Sequence, residues 1–276
     1  MSNQQSESSL PPVAKGFGLP FYYSSLTNCA VFYLVDLAVL EPFVANKPVK
    51  AAAFDGQGIV TFNYQLYTGQ FPFGANIVKE IELNIIIYAE SQAANVPKVS
   101  FEQFILGDEQ TKTMGNLRVH VPCDNDIAIQ AGIQLFGEPK FKTTFTTNLP
   151  SLNDPSVKTW QFTCHDPDYP DNEEECILSC EVDVQGLNPL AGNYSPITEY
   201  GTQDGKLIAA RWNILQPLNS YILTPEEQER VVTIKFGKSK HPMRQDLEKL
   251  ISGVPAAAVR TFQSPPAAIQ SRAYYL

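Results

Sequence analysis

Positive charge is in short supply in this sequence. Its 276 residues carry 20 lysines and arginines against 29 aspartates and glutamates, a formal net charge of −9. Nucleic acids and anionic membranes are both held through basic surface, so neither is expected as a partner. Long hydrophobic runs are lacking too. Nothing approaches the ~18 consecutive apolar residues of a membrane helix. The first residues, Met1-Ser-Asn-Gln-Gln-Ser-Glu-Ser-Ser, lack the basic start and apolar segment of a secretory leader, and residues 1–10 read as a disordered lead-in. Cysteine is limited to Cys29, Cys123, Cys164, Cys176 and Cys180. An odd count in a chain long enough to do without staples points to reduced thiols and a cytoplasmic setting.

Chemical signatures are equally sparse. The sequence has no Gly-x-Ser-x-Gly, phosphate loop, dinucleotide fingerprint or His-Glu-x-x-His. Cys164-His165 and Cys176-x-x-x-Cys180 are metal-capable types, but their spacing fits no zinc module, and adjacent side chains on a strand point to opposite faces. The acidic stretch from Asp166 to Glu175 lacks the spacing of a calcium loop and reads as a solvated insertion. No metal and no cofactor are therefore expected.

What is present is β-rich. A hydrophobic fraction of 43% is ample for a core. Phe21 to Val35 reads as a strand pair or one long strand, and Leu34 to Phe43 as a short helix closed by Pro42. Asp55-Gly56 marks a turn before a strand in which Phe62, Tyr64 and Leu66 share one face and Asn63, Gln65 and Tyr67 the other. From Ile77 to Tyr88 the apolar residues Ile81, Leu83, Ile85 and Ile87 share one parity, and Glu80, Glu82 and Asn84 the other. Further strands are expected at Val96–Gly107, Leu117–Pro122, Lys142–Thr147, Val157–Thr163, Ile177–Val184, Leu207–Leu215 and Val231–Phe236. Helices are expected from Asn125 or Asp126 to Leu135, stopped by Gly137 and Pro139, and from Pro242 to Ile251. Short strands at roughly ten-residue spacing with few helices indicate a mainly β fold, a large closed barrel or sandwich, in a single domain over residues 1–276.

One lysine stands out. Lys140 follows a Gly-Glu-Pro turn and precedes Phe141. Burial there is expected to disfavour its ammonium form and leave a neutral amine, a nucleophile able to form a Schiff base with a carbonyl.

The stretch Ala128-Ile-Gln-Ala-Gly-Ile-Gln-Leu-Phe-Gly-Glu-Pro-Lys resembles the lysine signature of the acetoacetate decarboxylase-like superfamily. Three segments fall in the same order as in that family: Tyr33-Leu-Val-Asp-Leu-Ala-Val-Leu-Glu-Pro-Phe, Lys79-Glu-Ile-Glu-Leu-Asn-Ile-Ile-Ile-Tyr and His241-Pro-Met-Arg-Gln-Asp-Leu. The resemblance implies a lyase in which Lys140 carries the Schiff base. It casts Glu80 as a group that orients substrate or moves protons, with Glu82 alongside. It also implies a homo-oligomer and a small carbonyl or keto-acid substrate. Asn63 falls near a position where family members carry another glutamate, and an amide there can only hydrogen-bond. Phe136 and Phe141 are expected to wall the pocket or join the core, and Glu138 to be an exposed turn residue. The chain also departs from the family. Phe141 replaces a second lysine, Gly132-Ile133-Gln134 replaces Gly-Arg-Glu, and Ser24-Ser25-Leu26-Thr27-Asn28 contains no arginine. Desolvation alone is then left to lower the Lys140 pKa, and partners for a substrate carboxylate are lost. Three functions follow: a decarboxylase-like lyase on a small β-keto acid or related compound, an imine-forming aldolase-dehydratase, or a non-catalytic small-molecule-binding protein.

Overall fold

The structure is a computed structural model that describes residues 10–268. The lead-in up to residue 9 and residues 269–276 lie outside the described residues.

Three long strands form the spine: β1 (Tyr22–Val35), β3 (Gly58–Phe71) and β4 (Gly74–Ala89), with the short β2 (Val49–Ala51) paired to β4. The alternation expected in β3 and β4 is observed. Phe62, Tyr64, Ile81, Leu83 and Ile85 are fully buried on one face, while Asn63, Gln65, Glu80, Glu82 and Asn84 share the other through the pairs Asn63 with Glu82 and Gln65 with Glu80. Outside the spine lie β5 (Met114–Cys123), β6 (Lys140–Lys142), β10 (Leu190–Gly192), β11 (Ile197–Gln203), β12 (Lys206–Trp212), β13 (Leu218–Ile222) and β15 (Ala256–Gln263). Together these make an 11-stranded sheet in the order β10-β13-β15-β1-β3-β4-β5-β11-β12, with β6 on β5. The two ends do not pair, so the expected closed barrel is instead an open sheet. Strand rhythm in a sequence reports how many strands there are, not whether the last meets the first. Here one edge strand is only 3 residues long and the other carries Lys206 and Arg211, features that discourage edge pairing.

A 4-stranded sheet, β14-β9-β8-β7, is built from β7 (Phe145–Asn148), β8 (Trp160–Cys164), β9 (Leu178–Val182) and β14 (Val232–Phe236). With helices α1 (Leu37–Val44) and α5 (Pro242–Ile251) it covers the apolar face of the large sheet, where Phe62, Tyr64, Phe162 and Leu247 share one core. The opposite face is covered by α2 (Phe101–Leu106) and α3 (Asp126–Phe136), with Phe54, Phe104 and Ala128 in a second core. A single turn, α4 (Pro225–Gln228), precedes β14.

Two local expectations are corrected. Val96–Gly107 is not a strand: Ser100 and Gln103 form a capping box and Gly107 closes α2 at φ 91°, signals of a helix that outweigh its β-prone residues. Pro42 lies inside α1 rather than ending it, and the cap at Ala45 donates to the Glu41 carbonyl.

Candidate active site

Lys140 is placed by the way α3 ends. Asn125 Oδ1 accepts from the backbone N–H groups of Ile127 and Ala128, both at 3.1 Å, and starts the helix. Gly137, at φ 61°, stops it. The chain then folds under the last turn. The N–H of Glu138 donates to the carbonyl of Gly132 at 3.1 Å, and β6 joins β5 in parallel with Lys140 opposite Val121. Gly132 must be small here. A methyl group built on it would lie 2.6 Å from Lys140 Cδ and 2.7 Å from Cε, and against Glu138 Oε2.

A register shift in β5 completes the arrangement. Cys123 pairs with Glu80, His120 with Leu83 and Arg118 with Asn84, so Val119 is an extra residue. A one-residue bulge changes which parity faces a given side. Cys123 and Arg118 therefore both face the side that carries Glu80 and Glu82, and His120 faces away to meet Asp246 of α5 at 2.8 Å.

The result is a cavity of about 420 Å³ with a polar floor and an aromatic rim. Lys140 Nζ lies 2.8 Å from Glu80 Oε2 and 3.1 Å from Glu138 Oε2, and only 5% of its side chain is exposed. Glu80 is further held by Gln65 Nε2 (2.7 Å) and the Tyr67 hydroxyl (3.1 Å). Arg118 Nη1 donates to Glu138 Oε1 at 2.9 Å and lies 3.0 Å from Glu199 Oε2, while Nη2 donates to the Tyr200 carbonyl at 3.3 Å. Glu82 Oε2 accepts from the amides of Asn63 (3.2 Å) and Asn84 (3.3 Å).

The electrostatics overturn the expectation of a neutral lysine. Burial does press the Lys140 amine toward its uncharged form, but Glu138 and Glu80 outweigh it and hold the amine well above its ordinary value. Glu138 is pushed up by burial and pulled down further by Lys140 and Arg118, so it stays below the usual carboxylate range. Glu82 and Glu199 are both raised, chiefly by burial. Burial likewise pushes the Cys123 thiol up to about 12.

Of the residues singled out from the sequence, the structure brings Lys140, Glu80, Glu82 and Phe136 to one cavity. Asn63 stands behind Glu82 and touches it rather than lining the cavity. Phe141 takes the core alternative and is corrected as a pocket wall: alternation in β6 sends it away from Lys140 to the opposite side of the sheet, where it packs against the apolar core and its ring stacks on His241 with centroids 4.3 Å apart. Glu138 is corrected from exposed to buried, because the turn after α3 tucks it under the helix. The cation expected to be missing is supplied by Arg118, from a strand 20 residues away. Arg118 and Glu199 were missed. The available signal was a charge inside each of two apolar strands, Leu117-Arg118-Val119 and Ile197-Thr198-Glu199-Tyr200. Among the described residues, no cluster of three or more His, Cys, Asp or Glu side chains could hold a metal ion, and no helix is long and apolar enough to cross a membrane.

The sequence matches no protein-family profile and no curated protein. Solved structures do match. The enduracididine biosynthesis enzyme MppR complexed with pyruvate superposes at a TM-score of 0.58 with 10% identity, covering 95% of this chain and 90% of that one. An acetoacetate decarboxylase-like enzyme from Sphingomonas wittichii gives 0.53 with 13% identity over 88% and 89%. Acetoacetate decarboxylase from Legionella pneumophila gives 0.53 with 10% identity over 94% and 91%. This chain has the acetoacetate decarboxylase-like fold.

Proposed function

We propose that this chain is a Schiff-base-forming lyase that acts through Lys140 on a small keto acid or related carbonyl compound. The observation that supports this is the place of the Lys140 amine, buried at the floor of the cavity with two carboxylates in hydrogen-bonding reach. The amine must lose a proton before it attacks, and Glu80 Oε2 and Glu138 Oε2 are the acceptors at 2.8 and 3.1 Å. Nζ then adds to the carbonyl carbon, and the carbinolamine loses water to leave a protonated imine. That cation draws electrons from an adjacent carbon–carbon bond, so carbon dioxide leaves or an aldol-type bond breaks, and a carboxylic acid at Glu80 or Glu138 returns the proton. The carboxylates also stabilise the iminium charge as it forms. MppR is described in complex with pyruvate, and in another structure with the condensation product of pyruvate and imidazole 4-carboxaldehyde. Those ligands favour carbonyl chemistry for a pocket on this fold, with aldolase-dehydratase outcomes beside decarboxylation.

The two ion pairs support a second reading, a binding protein without turnover, since an ammonium does not attack a carbonyl. Sodium borohydride reduction in the presence of acetoacetate or pyruvate separates the two. Irreversible mass addition at Lys140, absent in Lys140→Ala, is expected for the enzyme. Protein left unlabelled by every carbonyl tried removes the enzyme reading, and labelling without carbon dioxide release selects the aldolase-type outcome.

A further inference from the structure

We propose that, among the carbonyl compounds open to Lys140, the pocket prefers one that bears an amine, its ammonium seated against Glu82, over keto-acid anions. The carbonyl half rests on the chemistry assigned to Lys140; the charge preference stands on the cavity floor alone.

Both cations of that floor are already occupied. Lys140 is paired with Glu80 and Glu138, and Arg118 with Glu138 and Glu199. Glu82 is the surplus carboxylate. Only 5% of the residue is exposed, its partners are two amides, and among the described residues it forms no ion pair. Four carboxylates thus face two cations on that floor; burial raises both Glu82 and Glu199, and Glu82 raises Glu199 further. An incoming anion would lie beside like charge on that floor; the cavity's other cation, Arg211, is exposed and already donates to the Lys112 carbonyl and the Thr198 hydroxyl, both at 2.7 Å. An incoming ammonium would meet in Glu82 a carboxylate with no cation of its own.

The unused hydrogen-bonding capacity points the same way. Carboxylates accept only, so the amide NH2 groups of Asn63, Asn84 and Gln65 must turn toward them, which leaves the amide oxygens over. Gln65 lines the cavity and is 2% exposed, and its Oε1 has no partner; behind the lining, Asn63 Oδ1 and Asn84 Oδ1 have none either. Arg118 Nε is the one buried donor of the floor left unpaired among the described residues. The unpaired Gln65 oxygen beside the carboxylates suits a group that brings N–H bonds, as an ammonium does. Above them, the rim sets Tyr23 against Tyr67 (centroids 5.1 Å) and Trp212 (6.2 Å), and ring faces attract cations.

Benzylammonium, benzyl alcohol and benzoate share a shape and differ in charge, and none has a ketone or aldehyde. Calorimetry on the full chain at neutral pH is expected to show benzylammonium binding about tenfold or more tighter than benzoate, with benzyl alcohol between them. Glu82→Gln should narrow the gap about fivefold or more. Benzoate binding as tightly as benzylammonium, or no binding of any of the three, would each overturn the preference, and both are read on the wild type, so they do so even where the variant does not fold. Borohydride trapping with aminoacetone and pyruvate then tests the carbonyl half. Faster labelling of Lys140 by aminoacetone supports the proposal. Equal or faster labelling by pyruvate overturns it while leaving the Schiff base standing. Labelling by neither, beside tight benzylammonium binding, removes the imine chemistry and keeps the charge preference.

Discussion

Glu138 Oε2 lies 3.1 Å from Lys140 Nζ, although only Pro139 separates the two residues. Consecutive alternate residues reach one another here because the chain turns under the end of α3, and because Arg118 holds the other carboxylate oxygen at 2.9 Å. The lysine that the proposed chemistry needs neutral is thereby kept charged by its own turn.

Glu138→Gln is expected to release it. The glutamine keeps an acceptor for Arg118 but withdraws the charge that most strongly raises the Lys140 amine. With Glu80 as the remaining anion within reach, more of the amine is neutral at a given pH. Reductive labelling of Lys140 by a small aldehyde and cyanoborohydride near pH 7.5 should quicken about tenfold, the scale of removing a close carboxylate. An unchanged rate would show that Glu80 alone sets the charge.

Lys140→Met tests the same cluster as a stability element. Removing one partner of a buried ion pair leaves uncompensated charge and costs about 3–5 kcal/mol. The sign with pH follows from the shifts. The raised amine stabilises the fold fully below the ordinary lysine range and loses that effect as pH climbs through its folded value. The depressed Glu138 stabilises above the ordinary carboxylate range and loses that effect as pH falls through its own. The deficit of Lys140→Met in urea melts should therefore be full at pH 7 and shrink at pH 4.

The alternation that places Glu80 and Glu82 on one face and Ile81 and Leu83 on the other was legible, because a strand half-buried on an apolar core writes its period into the sequence. The end of α3 was legible from Gly137 and Pro139. Glu138 was not: an acid between a glycine and a proline has the composition of a wet turn, and its burial depends on a back-bond to Gly132 and on an arginine from another strand. Arg118 reaches the site only because Val119 is a bulge residue, and a bulge leaves no period of its own. Glu199 arrives through a parallel pairing of β11 with β5, set opposite Asn116 across more than eighty residues, which local patterning does not encode. The open edges of the large sheet are a global property of the same kind.

Gly132→Ala is expected to separate helix stability from site geometry. Alanine is the better helix former by up to about 1 kcal/mol, and the backbone of Gly132 is helical. Its methyl group, however, would meet the Lys140 side chain at 2.6–2.7 Å, which must move with Glu138. The strain should outweigh the propensity gain by about 1–3 kcal/mol. Borohydride labelling of Lys140 should fall about tenfold or more if the displaced amine no longer meets the carbonyl. A variant with undiminished labelling would show that the lysine can rotate within the cavity.

The pH dependence of stability carries a signature of Glu199. Its carboxyl is raised well above the ordinary range, first by burial and then by Glu82, so the folded chain binds a proton that the unfolded chain has released. Wherever the native state holds more protons, stability falls as pH rises, from about pH 4.3 upward toward the folded value. Glu138 works in the opposite sense, but its window lies below that range, so the two effects separate along the pH axis. Melting temperatures of the wild type should decline between pH 5 and pH 8, and Glu199→Gln, which carries no titrating group at that position, should decline less steeply over the same interval. The comparison is one of slopes, so it holds whatever the substitution does to absolute stability. Parallel slopes would show that Glu199 does not carry the pH dependence.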